Sequence, residues 1–294
     1  MTSGQGRRPL DPSHQDYIEL AALEHDLLHA VGGQMLLEEK LRSFFRSAID
    51  EVIDTARSGR FLFSQLEKTE KTYLGTKFEI LLRDWLQVPK GVILDLRIGD
   101  REVDVKSTTA GHGWMIPLEA IDRYCILLAI DEAKARCAFG LVRARPAYLR
   151  QGANRDRKTG ISAAGRDNIW WLASDFPYTR NFWSLIPDES RLEIIACPGG
   201  TRRVAMLFER YQEMAVSRVQ IVAIAAQDDP MRRVRRNGGA RDILAPKGIA
   251  ILYSEYDREI MTALGLSFGY REFMSYAPKT AAEASLLRDA GHID

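Results

Sequence analysis

Several features that define common protein classes are scarce or absent in this sequence of 294 residues. It contains three cysteines, Cys125, Cys137 and Cys197, which are too widely spaced to form a CxxC pair. An odd number of scattered cysteines argues against a disulfide framework or a cysteine-based zinc site, and it favours a reducing compartment such as the cytoplasm. No apolar run reaches about 18 residues, so no transmembrane helix is predicted.

A secretory signal and an ATP-binding motif are also absent from the sequence, and their absence excludes further classes of function. The stretch MTSGQGRRPLDPSHQD is polar and is not followed by the apolar segment of a secretory signal. The pattern GxxxxGKS or GxxxxGKT is absent, so ATP-driven work is not indicated. These absences predict a cytoplasmic protein that has no membrane partner and does not use ATP.

Charge is spread unevenly along a chain whose composition is that of an ordinary globular protein. Apolar residues make up 46% and charged residues 28%, the formal net charge is +1, and the length suits one large domain or two of ordinary size. Between residues 201 and 250, however, ten arginines and lysines stand against five acidic residues. Such a local excess is typical of a surface that binds nucleic acid, with an exposed, solvated basic helix as the alternative.

Two short runs of alternating apolar and polar residues, VILDLRI and REVDVKS, predict an antiparallel β-hairpin. A Gly-Asp pair lies between them, and glycine in the first position of a two-residue loop favours a type II′ turn. In the register that this turn sets, Leu96 faces Val103. The same register sets Leu94 opposite Val105, so that both cross-strand pairs are apolar, which supports the register.

The same register brings charged residues together on the other face of the hairpin. Asp95 is expected opposite Asp104, with Lys106 two residues further along. Two carboxylates that face each other destabilise a sheet by up to roughly 1 kcal/mol, and a cation between them reverses that effect. Two acids with a neighbouring lysine form an oxygen-rich site that suits Mg²⁺. The hairpin alone leaves a solvated charged face open as the alternative.

Apolar side chains at three- and four-residue spacings predict one helix from about residue 16 to 56 and another from about residue 72 to 86. On the second helix, Glu79 lies next to Phe78, close to the apolar side. A carboxylate at the edge of the core is unusual, because an unpaired glutamate is seldom fully buried. Glu79 is therefore a candidate site residue, and an ordinary glutamate at the boundary of the core is the alternative.

The remaining apolar segments predict a domain core and a boundary. YCILLAI and RCAFGLVRA are expected to be further strands of the core. The aromatic stretch WWLASDFPYTRNFW, which Pro177 interrupts, is expected to join two domains. The boundaries that follow are residues 1–172 for the first domain and 182–294 for the second.

The second domain has the order of a DNA-binding helix-turn-helix. VAMLFERYQEM and RVQIVAIAA predict two helices, QDDP a turn, and MRRVRRNGGARDIL an arginine-rich helical segment that the two glycines interrupt or end. The strand GIAILY follows, as the wing of a winged helix would. The candidate DNA-binding residues are Arg218, Arg232, Arg233, Arg235, Arg236, Arg241 and Lys247.

The candidate residues match a known nuclease motif. Glu79, Asp95 and the run Asp104-Val105-Lys106 fit the PD-(D/E)xK nucleases in a loose form, which by itself is a weak signal. Five longer segments resemble the NaeI-type restriction endonucleases and occur in the same order, between about residues 60 and 253: QLEKTEKTYLGTKFEILL, REVDVKST, GWMIPLEAI, GANRD and AQDDPMRRVRRNGGARDILAPKGIAIL.

This resemblance implies a type II site-specific deoxyribonuclease that hydrolyses double-stranded DNA. It implies an α+β fold in which a restriction-endonuclease-like mixed sheet flanked by helices forms the endonuclease domain, residues 1–172. A winged helix-turn-helix domain, residues 182–294, would follow and bind a second, effector DNA site that stimulates cleavage. Cutting both strands with one active site per chain calls for two chains related by a twofold axis, so a homodimer is expected.

The resemblance also assigns roles to single residues. The catalytic positions of the family are occupied here by Glu79, Asp95, Asp104 and Lys106, so all four residue types are retained. Asp95, Asp104 and the carbonyl of Val105 would hold Mg²⁺. Lys106 would orient or deprotonate the attacking water, and Glu79 would bind a second cation through water or hold Lys106 in place.

Two other functions remain open at this point. One is a winged-helix DNA-binding regulator whose N-terminal domain only dimerises and does not catalyse a reaction. The other is a modification-dependent or repair nuclease with the same core. The facing acids favour a nuclease over a regulator, because a dimerisation domain has no need of two carboxylates that repel each other.

Overall fold

The computed structural model describes residues 6–109, 111–152, 154–227, 229–269 and 271–294. These residues form two compact units. We call the chain up to Ile53 together with Leu62–Asn181 the sheet unit, and Asp54–Phe61 together with Phe182–Asp294 the C-terminal unit.

The regular elements lie in both units. The α-helices of the described residues are α1 (Tyr17–Val31), α2 (Gln34–Ile53), α3 (Thr55–Ser58), α4 (Lys68–Leu86), α5 (Asp188–Ala196), α6 (Gly200–Arg210), α7 (Arg218–Ala225), α8 (Ala240–Leu244), α9 (Arg258–Ala263) and α10 (Ala281–Asp289). The strands are β1 (Leu96–Ile98), β2 (Arg101–Thr108), β3 (Met115–Ile116), β4 (Tyr124–Asp131), β5 (Arg136–Arg143), β6 (Thr159–Gly160), β7 (Trp170–Pro177), β8 (Val216–Ser217), β9 (Ala250–Tyr253) and β10 (Glu272–Tyr276). Within the described ranges, none of the helices is both long and apolar enough to cross a membrane.

In the described part of the chain, the main sheet of the sheet unit has five strands in the order β1-β2-β4-β5-β7. The strands β2 and β4 run parallel, and the other neighbouring strands are antiparallel. The strands predicted in YCILLAI and RCAFGLVRA are confirmed as β4 and β5. The predicted fold, a mixed sheet flanked by helices, is also confirmed.

The two faces of this sheet differ in what covers them. Val103 and Val105 of β2 point toward α1, α2 and α4 and pack in one apolar cluster with Phe78. Cys125 and Leu127 of β4 belong to a second cluster on the opposite face. Because side chains alternate along a strand, the residues of β2 that lie between the valines belong to this second face.

The prediction of one long helix from about residue 16 to 56 is wrong in one respect, because the helix is interrupted between α1 and α2. Gly32 and Gly33 have φ values of 86° and 109°. Only glycine adopts such backbone angles readily, so the helix cannot continue through the pair. The second predicted helix begins earlier than expected, at Lys68, where Glu67 N–H donates to the Glu70 carboxylate at 2.8 Å.

The aromatic stretch that was expected to join two domains begins with a strand, and the division between the two units, after Asn181, falls near its end. Residues 170–177 form β7 at the edge of the sheet, and Trp170 and Leu172 are buried in the core on the helical side. Pro177 stands at the end of this strand, where its lack of an N–H group costs little pairing. The run is therefore a sheet strand up to its proline.

In the C-terminal unit, as far as it is described, three strands pair in the order β8-β10-β9 and both neighbouring pairs are antiparallel. The strand β8 lies between α6 and α7 in the chain, and α8 precedes β9. The second helix in RVQIVAIAA is confirmed as α7, where the Ser217 hydroxyl caps the N–H of Val219.

The arginine-rich segment MRRVRRNGGARDIL is interrupted at its two glycines, as predicted, but the part before them is not an α-helix. Pro230–Arg233 forms a 3-10 turn, and an α-helix begins only at Ala240. Gly238 has a φ of 100°, and a Cβ at Gly239 would lie 2.0 Å from the carbonyl oxygen of Arg235. The glycine pair thus separates the first four arginines of this segment from α8.

Candidate active site

The hairpin that carries the acidic residues has the predicted register but a shorter first strand. Leu96 pairs with Val103, as expected, and Gly99 at the turn has a φ of 61°. The ladder between described residues begins at Leu96, so the expected pairing of Leu94 with Val105 is wrong. The main chain before β1 turns away from β2. As a result, the side chain of Asp95, and not a backbone group, forms the next contact with β2.

The side chain of Glu102 explains why β1 begins only at Leu96. Its carboxylate accepts N–H groups of Val92, of Ile93 at 3.1 Å and of Leu94 at 3.3 Å. These three bonds bend residues 92–94 around one side chain, and they hold the pKa of Glu102 below its ordinary value. The chain is therefore fixed in a loop immediately before Asp95.

Asp95 reaches β2 through its side chain. Its Oδ2 accepts the N–H of Val105 at 2.8 Å, which takes the place of a ladder hydrogen bond. The ammonium of Lys106 donates to Oδ1 of Asp104 at 2.8 Å and to the Val105 carbonyl at 2.9 Å, and it lies 3.6 Å from Oδ2 of Asp95. One ammonium thus lies close to both carboxylates, although Asp95 does not pair with Asp104 in the ladder as the predicted register required.

Asp104 is the most buried member of this group, with 3% of its surface exposed. Burial raises its pKa to about 7, although the Lys106 ammonium opposes the shift. Its second oxygen, Oδ2, is buried and has no hydrogen-bond partner among the described residues. A buried polar atom without a partner costs about 1–3 kcal/mol, so this oxygen is suited to a ligand that the protein itself does not supply.

The helix α4 brings Glu79 to the same charged group. Burial raises the pKa of Glu79, the charge of Asp95 adds to the shift, and the charge of Lys106 opposes it. One turn earlier, a Cβ at Gly75 would lie 3.2 Å from the hydroxyl of Ser107, so α4 approaches β2 closely at this point. Glu79 was expected from the sequence, whereas nothing in the sequence pattern indicated the role of Gly75, whose lack of a side chain allows the helix to lie so near.

The oxygen atoms of the group fit a hard divalent cation. Two carboxylates and the carbonyl of Val105 are all oxygen donors, which is the chemistry that Mg²⁺ prefers. Within the residues that the structure describes, no three His, Cys, Asp or Glu side chains lie close enough together to hold a metal ion. The candidate site therefore consists of the pair Asp95 and Asp104 with this carbonyl, and Glu79 stands outside the immediate set of donors.

The predicted DNA-binding residues all lie in the C-terminal unit and differ in exposure. Arg233 and Arg241 are half-buried, and the Nε atom of each is buried without a hydrogen-bond partner among the described residues. Burial lowers the pKa of Arg241, whose Nη2 lies 3.8 Å from Oδ2 of Asp257. The exposed members are Arg218, Arg232, Arg235, Arg236 and Lys247, and the last of these pairs with Glu209 at 2.7 Å.

Comparison with known proteins gives a consistent answer over most of the chain. A family model described as restriction endonuclease NaeI matches residues 38–283, a range that includes every residue of the candidate site. The chain is also 35% identical over 236 residues to the type II restriction enzyme NaeI of Lentzea aerocolonigenes. That similarity covers 78% of this chain and 74% of the relative.

Proposed function

The chain belongs to the NaeI restriction endonuclease family, and we propose that it is a Mg²⁺-dependent endonuclease that cuts double-stranded DNA at a specific sequence. The observation that carries this proposal is the buried Asp104 with an unpartnered oxygen, next to Asp95 and Lys106. The family supports the DNA substrate, and the oxygen donors support the metal. Digestion of plasmid DNA in Mg²⁺, with the ends mapped, tests it.

Asp95, Asp104 and the carbonyl of Val105 would hold the cation. A bound divalent cation neutralises charge on the scissile phosphate and lowers the pKa of a water molecule. Lys106 contacts Asp104 and lies near Asp95. Burial alone would lower its pKa, but the charges of Asp104, Asp95 and Glu79 outweigh burial and raise it. The side chain is therefore a cation at neutral pH, which favours orienting the water and offsetting charge over removing a proton.

Glu79 is a positioning residue in this account. It lies outside the immediate donor set, and its carboxylate and the Lys106 ammonium act on each other through charge. A carboxylate on the rigid helix α4 restrains the ammonium between the two aspartates. This supports the second of the two roles considered for Glu79, that of holding Lys106 in place.

The order of elements in the C-terminal unit supports a winged-helix domain that binds a second DNA site. The strand β8 lies between α6 and α7, α8 follows α7, and β9 and β10 come after α8 in the chain, with the strands paired in the order β8-β10-β9. The exposed arginines precede α8, where the recognition helix of such a domain begins. A regulator without catalysis would leave the buried acids of the sheet unit without a purpose, so the nuclease is preferred.

A homodimer follows from the chemistry of double-strand cleavage. One site per chain cuts one strand, so two chains related by a twofold axis would cut both.

The three cysteines are free, which agrees with a protein of the cytoplasm.

Replacing Arg232 and Arg236 with alanine is expected to remove stimulation by a second DNA site while basal cutting persists. Both side chains are exposed in the C-terminal unit, whereas the acids lie in the sheet unit. Coupling between two sites is typically worth about 1–3 kcal/mol, or roughly 5- to 150-fold. Cleavage of a plasmid with one recognition site should be slow in the wild-type protein and faster when a short duplex with that sequence is added.

The matched control for this double variant replaces Arg210 and Lys279 with alanine. Both are cations of the same unit and already pair with carboxylates, those of Glu193 and Glu213. The control should keep the stimulation. Loss of basal cutting with unchanged stimulation of the remainder would assign Arg232 and Arg236 to the cleaved DNA and contradict the effector site.

A further inference from the structure

A basic arm, defined as residues 149–161 without residue 153, projects from the sheet unit as a narrow hairpin. Leu149 bridges to Ile161, and the N–H of Arg150 donates to the Gly160 carbonyl at 2.8 Å. The sequence of this segment is polar and has no strand or helix periodicity. The backbone hydrogen bonds instead make the arm an ordered structure.

The tip of the basic arm is fixed by one asparagine. The side-chain oxygen of Asn154 accepts the N–H groups of Asp156 at 3.0 Å and of Lys158 at 2.8 Å. The N–H of Arg157 donates to the Asn154 carbonyl at 2.9 Å, and Arg157 adopts a positive φ of 57°. These bonds hold the tip in one conformation, so a ligand would not have to order it on binding.

The base of the basic arm is attached close to the candidate active site. Its strand β6 pairs with β3, which is separated from the end of β2 by six residues of the chain. The indole N–H of the buried Trp114 donates to the Leu128 carbonyl at 2.7 Å and fixes the start of β3 on the sheet. Ile116 and Ile161 pack with Cys125 on the sheet face to which Asp104 belongs.

The basic arm and the acids therefore share one face of the sheet. The charge of Lys158 also acts on Glu79 and lowers its pKa, against the larger effect of burial. The arm thus lies within electrostatic reach of Glu79, the positioning residue of the candidate site. The phosphate backbone of a DNA strand bound at these acids would therefore also lie close to the arm on this face.

The cations of the basic arm are available to a ligand. The arm contains one acid, Asp156, and four cations: Arg150, Arg155, Arg157 and Lys158. Among the described residues, no carboxylate forms an ion pair with any of the four cations. Elsewhere in the same unit, Arg136 pairs with Asp175 at 3.0 Å and Arg145 with Asp16 at 2.5 Å. All four side chains of the arm are exposed. Like charges crowded on an ordered tip repel one another unless an anion lies between them.

We propose that the basic arm grips the sugar-phosphate backbone of the DNA duplex that is cleaved, beside the scissile phosphate. This inference rests on the proposed function and extends it to the binding of the substrate. Contacts to phosphate fix the register of the protein on DNA and carry no sequence information. The arm therefore contributes to affinity and to placement of the duplex, whereas sequence is read elsewhere.

The test replaces Arg155 and Lys158 with glutamine, which removes two charges and keeps both side chains polar. The KM of plasmid cleavage is measured as a function of NaCl concentration, with effector duplex present in excess. We expect KM to rise and kcat to change little. Each lost phosphate contact should reduce the slope of log affinity against log salt by about 0.9.

Two controls separate charge from structure. Arg155→Lys with Lys158→Arg keeps both cations and should restore the wild-type slope. Lys134→Gln with Arg136→Gln removes the same net charge at residues that pair with Asp131 and Asp175, and it should leave KM unchanged.

An unchanged slope and KM in the arm variant would overturn the proposal, as would a shift only in the effector concentration needed for stimulation. If the wild-type protein fails to cut DNA at all, the proposed function is wrong. Gel-shift binding of linear plasmid DNA in metal-free buffer then decides for the arm with the same variants. A lower salt slope in the arm variant would support it, and equal slopes would overturn it.

Discussion

Replacing Asp104 with alanine is expected to abolish DNA cleavage while binding of duplex DNA in metal-free buffer persists. The variant lacks one of the two carboxylates that would hold the cation, and it lacks the oxygen that has no protein partner. A metal ion supplies several kcal/mol of transition-state stabilisation. At about 1.4 kcal/mol for each factor of ten, the loss in kcat should be on the order of a thousandfold or more.

Asp100→Ala is the matched control for this variant. Asp100 lies in the turn of the same hairpin, where its side chain is 87% exposed. The control should cut at close to the wild-type rate. An Asp104→Ala protein that still cuts at an appreciable fraction of the wild-type rate in Mg²⁺ would refute the assignment of Asp104 as a metal ligand.

Replacing Lys106 with methionine is expected to reduce kcat by roughly 10²–10³-fold, which is the usual effect of removing one charge-stabilising group aimed at the reacting atoms. Methionine keeps much of the length of the side chain, so the effect reports the lost charge. The ammonium contacts Asp104 and Val105 and lies near Asp95, all within one small site. Because no phosphate contact outside this site changes, KM should stay near the wild-type value.

Lys134→Met provides the comparison for Lys106→Met, since Lys134 is exposed and pairs with a single carboxylate, Asp131. It should leave both kinetic constants unchanged. Lys106→Arg is informative as well, because a planar guanidinium does not replace a compact ammonium between two carboxylates. Full activity in Lys106→Met would mean that this side chain neither orients the water nor offsets charge, and full activity in Lys106→Arg would mean that a positive charge of any shape is enough.

The register of the hairpin could be predicted from sequence because it depends on local alternation and on one glycine. The length of its first strand could not, because that length depends on Glu102, whose carboxylate captures three N–H groups from outside the strand. A side chain that competes with backbone pairing leaves no periodic signal. The meeting of Asp95 with β2 through its carboxylate followed from this bend.

One pair of glycines accounts for a difference between expectation and structure, and a second pair interrupts the chain where an interruption was expected. Gly32 and Gly33 interrupt a continuous apolar pattern, and the helical periodicity on both sides concealed the break. Gly239 approaches the backbone of Arg235, which prevents the arginine-rich segment from forming one helix. Both pairs are visible in the sequence, but a glycine inside a helical pattern is also tolerated at a cost of about 1 kcal/mol, so sequence alone does not decide.

The candidate site was predictable in its residues and not in its surroundings. Facing acids and a neighbouring lysine are a short-range pattern, whereas the burial of Asp104 depends on strands and loops distant in sequence. The basic arm could not be predicted either, because its order also depends on contacts between residues distant in sequence. Its polar composition resembles a loop, and its order comes from Asn154 and from pairing with β3.

Digestion of plasmid DNA with the purified protein in Mg²⁺, followed by sequencing of the ends, tests the central claim most directly. The account predicts discrete fragments whose ends share one sequence, and intact plasmid when Asp104 is replaced with asparagine. Plasmid that stays intact with the wild-type protein, fragments with random ends, or equal cutting by the Asp104→Asn variant would contradict it.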